Sequence, residues 1–382
     1  MPKIKNKNFA TWVEIEKSAL FHNLNQFIRL AGHQAKICPI IKSNAYGHDM
    51  VQTAKTLQNQ PIWGFGVVNL AEALILRQQG IRKPILVLSY VNADLAAGIK
   101  NNIVFSVYSL TFAKQLNQIA GRLRKKVLIH VKVDVGTSRL GILPEQVIDF
   151  LNELKSLSHV KIDGLFSHLA DSENQDWKFT YKQLRDFENI IDKTEKAGLK
   201  IPLKHIACSA AALGDPATHF NLIRLGLSLY GLWPSLACRR RAKKNYSWFS
   251  LKPALSWYAK IIQIKNLPKN TLIGYGGTYK TRKPIKMAVL PLGYSEGYDR
   301  GLSNKGEVIV VGRRCPILGR VCMNMIMVDV SRLKNVKVGE RATMIGRDGK
   351  EEITAEEMAA KIGTINYEVV TRINPLIPRI YV

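Results

Sequence analysis

The stretch 36-KICPIIKSNAYGHD-49 runs a short apolar segment into one lysine, Lys42, and then into Asn-Ala-Tyr-Gly-His. Read as a strand, Lys36–Lys42 is the first of eight such runs. The others are Trp63–Val67, Ile85–Ser89, Ile103–Val107, Lys126–Asp134, Val160–Ser167, Leu203–Ala207 and Leu222–Leu225. Amphipathic segments of helical length separate them. In 69-NLAEALILRQQG-80 an Asn cap and a closing Gly bracket the pattern, and 144-PEQVIDFLNELKSL-157 has Pro in its first turn. Strand then helix, eight times, predicts an α/β chain folded as a (β/α)8 TIM barrel.

In such a barrel the chemistry sits at the C-terminal ends of the strands. Lys42 ends the first run, Lys132 and Asp134 the fifth, His168 follows the sixth, Ser209 the seventh, and Arg224 lies in the eighth. One such residue is ordinarily a loop-facing polar group, but this many on one rim point to an active site. A lysine closing an inward strand is costly to bury as a cation. It either pairs with a carboxylate or is neutralised by chemistry such as a Schiff base. Tyr46 and a helix start at Gly47 suit a phosphate. Pyridoxal 5'-phosphate meets both needs.

After 239-RRRAKK-244 the texture changes to strands and turns in 254-ALSWYAKIIQIKNL-267, 285-IKMAVLPLGY-294, 307-EVIVVGRRCPILGRV-321 and 338-VGERATMIG-346, with one helical pattern, 354-TAEEMAAKIG-363. The expected organisation is a barrel over residues 1–240 and a mainly β C-terminal domain over 245–382. Residues 1–10 are left open to pack with the latter. The net charge of +27 raises nucleic acid as a partner. The basic residues are dispersed, however, and their densest run lacks aromatic interleaving, so a plain basic surface is favoured. The five cysteines are odd in number with no CxxC pair, which indicates neither a disulfide framework nor a metal site. No run approaches the roughly 18 apolar residues of a membrane span, and a basic start without an apolar leader places the chain in the cytoplasm.

Several motifs resemble the alanine racemases in order along the chain. They are 11-TWVEI-15, 41-IKSNAYGHD-49, 132-KVDVGTSRLG-141, 223-IRLGLSLYG-231, 274-GYGGTY-279, 293-GYSEGYDR-300, 319-GRVCMNM-325 and 363-GTINYEV-369. The resemblance implies a homodimer with shared active sites that interconverts L- and D-alanine and supplies D-alanine for peptidoglycan. Lys42 would hold pyridoxal phosphate as a Schiff base and act as one base, and Tyr275 would be the opposing base, reaching in from the other subunit. Tyr46, Ser209, Gly226 and Leu227 would hold the phosphate. Arg224 would face the pyridine nitrogen, Arg139 the cofactor's phenolate oxygen and the substrate carboxylate, and His168 would link Tyr275 to Arg224. Met323 would offer its amide to the substrate carboxylate. Lys132 matches a lysine that is carbamylated in many relatives. Tyr294, Arg300, Arg320, Asn324 and Ile373 match an entrance channel.

The chain departs from the family pattern in places. Pro375 stands where many relatives have a phosphate-binding tyrosine, Asn324 where an aspartate is frequent, and Thr137 and Ser138 differ beside Arg139. Competing readings are a racemase of broader range, a non-catalytic pyridoxal-phosphate-binding barrel, a barrel decarboxylase for basic amino acids, and a polyanion-binding protein. A C-terminal β domain and Tyr275 argue against the second, and the order of motifs and Tyr275 against the third.

Overall fold

The computed structural model describes residues 9–91 and 93–382, so residues 1–8 of the open N-terminal segment lie outside the description. The chain forms two compact units: one from Ala19–Ala45 and Met50–Lys252, the other from residues 9–18, Tyr46–Asp49 and Pro253–Val382. The units are interleaved in sequence, whereas the pattern reading drew a single boundary between residues 240 and 245.

Strand β1 (Thr11–Ile15) belongs to the second unit. The first unit holds β2 (Lys36–Pro39), β3 (Phe65–Val67), β4 (Ile85–Val87), β5 (Val104–Val107), β6 (Val127–Lys132), β7 (Val160–Phe166), β8 (Leu203–His205) and β9 (Leu222–Leu225). Strands β3 to β8 pair in order, and β2 pairs with β9, all parallel. Backbone bonds close the ring. Trp63 N–H donates to Ile37 at 2.8 Å and Ile41 N–H to Gly66 at 2.9 Å, joining β2 to β3. Arg224 N–H donates to Ala207 at 3.1 Å, joining β8 to β9. The result is the eight-stranded barrel, with helices starting at side-chain caps such as Asn69, Asp94 and Ser109.

The first strand is shorter than its apolar run suggests. It stops at Pro39, and after an isolated bridge at Ile40 the chain leaves the sheet, so Lys42 opens a turn rather than ending a strand. Asp134 likewise falls in the loop after β6. A register shift between Ile129 and His130 makes Asp163 an extra residue in β7, because Ile129 pairs with Ile162 and His130 with Gly164. A Cβ at Gly164 would lie 2.6 Å from the His130 ring, so the glycine makes room for that imidazole.

The second unit is mainly β. Its strands are β10 (Leu255–Lys260), β11 (Gln263–Leu267), β12 (Leu272–Ile273), β13 (Tyr279–Lys280), β14 (Ile285–Leu290), β15 (Glu307–Val310), β16 (Arg313–Pro316), β17 (Ile326–Asp329), β18 (Arg341–Asp348), β19 (Glu351–Ile353) and β20 (Arg379–Tyr381). The largest sheet runs β16-β15-β18-β10-β1-β20 with β19 on β18; β11-β14-β17 form a second sheet and β12-β13 a hairpin. β1 lies antiparallel to β10 and parallel to β20, burying Val13 and Ile15 fully. Besides the expected helix, seen at Ala355–Ile362, a second runs over Asn366–Thr371. Among the described residues no helix is long and apolar enough to cross a membrane.

The Gly164→Ala variant should lose about 1–3 kcal/mol of stability, the usual cost of overpacking. A lowered urea midpoint with an unchanged slope checks this.

Candidate active site

The turn after β2 sets the first functional group. Ser43, Asn44, Ala45 and Tyr46 all have φ near +53° to +54°, four successive left-handed residues. Left-handed helical geometry costs roughly 1–2 kcal/mol per non-glycine residue, so the turn persists only because its surroundings hold it. Glu72 is one such hold. Its carboxylate accepts from Ser43 N–H at 2.7 Å and from Val68 N–H at 2.9 Å, while its own N–H donates to Asn69 Oδ1 at 2.9 Å. Burial, with the Arg139 guanidinium nearby, holds the Lys42 ammonium below the usual lysine range against the opposite pull of Glu72.

Arg224, on β9, is buried at 5% exposure and has no carboxylate partner among the described residues. Its Nη1 donates to His205 Nδ1 at 2.8 Å and to His205 O at 3.1 Å. Its Nη2 donates to Ser167 O at 2.7 Å, Ile206 O at 3.0 Å and His168 Nδ1 at 3.1 Å. Burial brings this guanidinium down to about 10, so it stays protonated at neutral pH. The Phe166 ring stacks on His205 at 4.8 Å between centroids and lies 5.4 Å from the Arg224 guanidinium and 5.6 Å from Lys132 Nζ. Burial, then the charges of Arg224, Arg139, Lys132 and Lys42, press His168 well below the ordinary histidine range. The field at His168 thus registers four cations gathered on one rim.

Lys132 is brought down to about 8 by burial and by Arg224 and Arg139. Asp134 offers little relief. One oxygen accepts from Gly136 N–H, Thr137 N–H and Thr137 Oγ1, and the other from Arg139 N–H at 2.8 Å. Burial would raise this carboxyl, but those bonds hold it below its usual range. Asp134 therefore shapes the loop that carries Arg139. Across the rim, buried Ser209 Oγ accepts from Gly226 N–H at 3.0 Å and Ser228 N–H at 3.4 Å. Gly226 precedes the short 3-10 turn Leu227–Tyr230. The barrel thus brings together Lys42, Lys132, Arg139, His168, Ser209, Arg224, Gly226 and Leu227.

The remaining expected residues lie in the second unit. Tyr275 opens a 3-10 turn between Gly274 and Gly276, both at positive φ, and is 72% exposed. A Cβ at Gly276 would stand 3.1 Å from the Arg320 guanidinium. Met323 is exposed, and its carbonyl accepts from Ser295 N–H at 2.9 Å, as Cys322 O does from Tyr294 N–H at 3.1 Å. Asn324 Nδ2 donates to Glu296 Oε1 at 2.8 Å. Tyr294 and Arg300 are exposed, whereas Ile373 is buried at 1% and presents no surface of its own. Tyr46 packs near Tyr367 at 6.2 Å between rings, and Arg379 Nε donates to Gly47 O at 3.1 Å. Pro375 sits in an exposed turn.

The family model described as "Alanine racemase, N-terminal domain" matches residues 15–234, and "Alanine racemase, C-terminal domain" matches residues 254–381. The chain belongs to the alanine racemase family. An alanine racemase of Methanococcus maripaludis is 39% identical over 372 residues, spanning 97% of this chain and 98% of its own. The solved alanine racemase of Clostridium difficile 630 superposes with a TM-score of 0.92 at 36% identity, covering 98% of this chain and 96% of that one. That of Bacillus anthracis, solved with bound L-Ala-P, gives a TM-score of 0.89 at 32% identity, over 98% and 95% of the two chains.

Pattern reading missed Glu72, His205 and His130. Glu72 stands three residues after Asn69, the spacing of a capping box. His130 interrupts an otherwise apolar strand run and His205 follows Lys204 in its own, a signal that is visible but does not say which way a side chain faces.

In the unfolded chain Lys132 stays cationic up to its ordinary 10.5, but in the folded chain only below about 8. Between those values the unfolded state binds more protons, so stability rises with pH across that window. The Lys132→Met variant should lack this rise, on the order of 3 kcal/mol. Urea denaturation of both proteins in carbon-dioxide-free buffer from neutral to alkaline pH measures it.

Proposed function

We propose that the chain racemises alanine with pyridoxal 5'-phosphate, using Lys42 and Tyr275 as opposing bases in a homodimer with shared sites. The observation that carries this reading is the rim on which Lys42, its ammonium held low, meets Arg139, Arg224 and His168 beside Ser209 and the Gly226–Leu227 turn. Such a rim fits the cofactor: it has one lysine placed to form an imine, a buried hydroxyl and first-turn amides for a phosphate, and cations for a phosphate and a carboxylate. Relatives solved with L-Ala-P and with cycloserine support a small amino-acid-like ligand. D-Alanine made this way would serve peptidoglycan synthesis. Five free thiols support a cytoplasmic setting.

When bound, the cofactor supplies an electron sink for the pair left at Cα. Racemisation needs a proton removed from one face of Cα and another delivered to the opposite face, so two groups are the minimum. Lys42 Nζ, which burial and Arg139 hold below its usual range, is eased toward the neutral amine that accepts a proton. Arg224 donates to every partner it has and keeps its protons, so it offers the cofactor ring no acid. That restrains protonation at the ring and the side reactions that follow from it. His168 accepts from Arg224 at Nδ1, which leaves its Nε2–H able to donate to a phenol oxygen and support Tyr275 as a base. Arg139 would orient the substrate carboxylate, with the Met323 amide as a second contact. Tyr294, Arg300, Arg320 and Asn324 would guard entry, and Tyr46 would complete the phosphate contacts that Pro375 cannot supply. The exposure of Tyr275 in the single chain supports its service to a partner subunit.

Purified protein with added cofactor should convert L-alanine to D-alanine faster than any other amino acid in a scan of L-enantiomers. Borohydride reduction followed by peptide mapping should find the cofactor on Lys42. A label on another lysine, or no racemisation of alanine, would reject the reading.

Lys42→Ala and Tyr275→Ala homodimers should each be nearly inactive. Refolded together one to one, roughly half the dimers are mixed and each has one intact site of two, so about a quarter of wild-type activity should return. Activity near zero in demonstrated mixed dimers would place both bases in one chain.

A further inference from the structure

Arg224 carries a buried positive charge with no carboxylate beside it, yet its hydrogen bonds continue past His205. His205 Nε2 lies 2.9 Å from His130 Nδ1, and His130 Nε2 lies 3.8 Å from Asp163 Oδ2. An arginine has five N–H donors and no acceptor, so it fixes the direction of everything attached to it. His205 Nδ1 must accept, which puts the His205 proton on Nε2. That proton can only be donated to His130 Nδ1, which puts the His130 proton on Nε2, facing Asp163. A proton added to either ring would oppose donor to donor along the chain. Burial agrees, holding His205 well below the ordinary histidine range and lowering His130.

The last link is incomplete. His130 Nε2 is buried without a hydrogen-bond partner, and 3.8 Å exceeds a direct bond. It is also too short for an inserted water, so a small rotation of the half-buried Asp163 side chain is what would close it. The strand geometry is built for this pairing: Asp163 is the extra residue of the bulge in β7, and Gly164 opens the space that the His130 ring fills. Lys161 and Lys36 also face the carboxylate and, with His130, keep it ionised.

We propose that Asp163 and His130 are positioning residues. With His205 they form a one-directional chain, its direction set by Arg224 and its far end held by Asp163, that anchors the Arg224 guanidinium toward the rim. Asp163 is the distant counter-charge of that guanidinium. The kinetic part rests on the reading of Arg224 as the cofactor's arginine; the tautomer part does not.

Nitrogen-15 spectra of histidine-labelled protein without cofactor read the tautomers directly. His205 and His130 should both be neutral with the proton on Nε2. In Asp163→Asn, where Arg224 still sets the direction, both tautomers should persist while the His130 Nε2–H resonance shifts on losing its anionic neighbour. With cofactor, the same variant should lose roughly tenfold to a hundredfold in kcat, the cost typical of an outer partner that fixes a histidine. KM for alanine should stay within about threefold, since binding contacts are untouched. Asp163→Glu, which keeps the charge and can span the gap, should restore the resonance and kcat. A His205 protonated on Nδ1 in the wild type would overturn the proposal. So would an Asp163→Asn protein with a wild-type His130 Nε2–H resonance and wild-type kcat. Should that variant not fold, the wild-type spectrum and Asp163→Glu still decide. If the wild type racemised nothing, the proposed function would fail while the tautomer spectra still tested the chain.

Discussion

A guanidinium sealed inside a barrel without a carboxylate needs every donor occupied, because leaving a buried charge unsatisfied costs several kcal/mol. Arg224 meets this at its two Nη atoms, with three carbonyls, of Ser167, Ile206 and His205, and with the Nδ1 atoms of His168 and His205. Those carbonyls come from the ends of β7 and β8 and the residues just beyond, so the arginine also pins the rim that carries His168 and Ser209. The inner positions nearby cannot then be the branched aliphatics that ordinarily fill a barrel. They hold Phe166, His130, His205 and Lys132, polar groups spaced by one aromatic plate. Cys38, the register partner of Arg224 on β2, has its thiol pushed up to about 12 by burial and stays uncharged.

The turn at Lys42 is held by a different means. Four left-handed residues in succession store backbone strain on the order of several kcal/mol, and Glu72, locked into the capping of its own helix, receives the Ser43 amide. The same carboxylate opposes the depression of Lys42 by burial and Arg139. One residue thus fixes the geometry of the lysine and limits how far it is discharged.

The barrel was legible because period and punctuation repeat eight times, and the polar strand ends told which rim mattered before any side chain was placed. Boundaries were not legible near Pro39, where the apolar run outlasts the strand: composition does not reveal that the next residues turn left-handed. The pairing of β1 with β10 and β20 was not legible, since a five-residue strand does not encode whether its partners lie near or far along the chain. The helix Asn366–Thr371 was missed because it is short and starts without a side-chain cap. Lys42, Lys132, His168, Ser209 and Arg224 could be found by position alone. Tyr275 and Met323, exposed on the second unit, could be singled out only through family resemblance.

The rim is unbalanced as it stands. Lys42, Lys132, Arg139 and Arg224 repel one another across it, and the nearest carboxylates are already committed: Asp134 to the loop amides and Glu72 to the turn. Repulsion of this kind lowers Lys42 and Lys132 together, so a dianionic ligand and a carboxylate would meet a site whose cost of desolvating cations has been met by folding. Binding them would relieve that repulsion and return Lys132 toward its usual range. The ligand's charge is then part of the stability of the barrel's upper face, as well as the object of its chemistry.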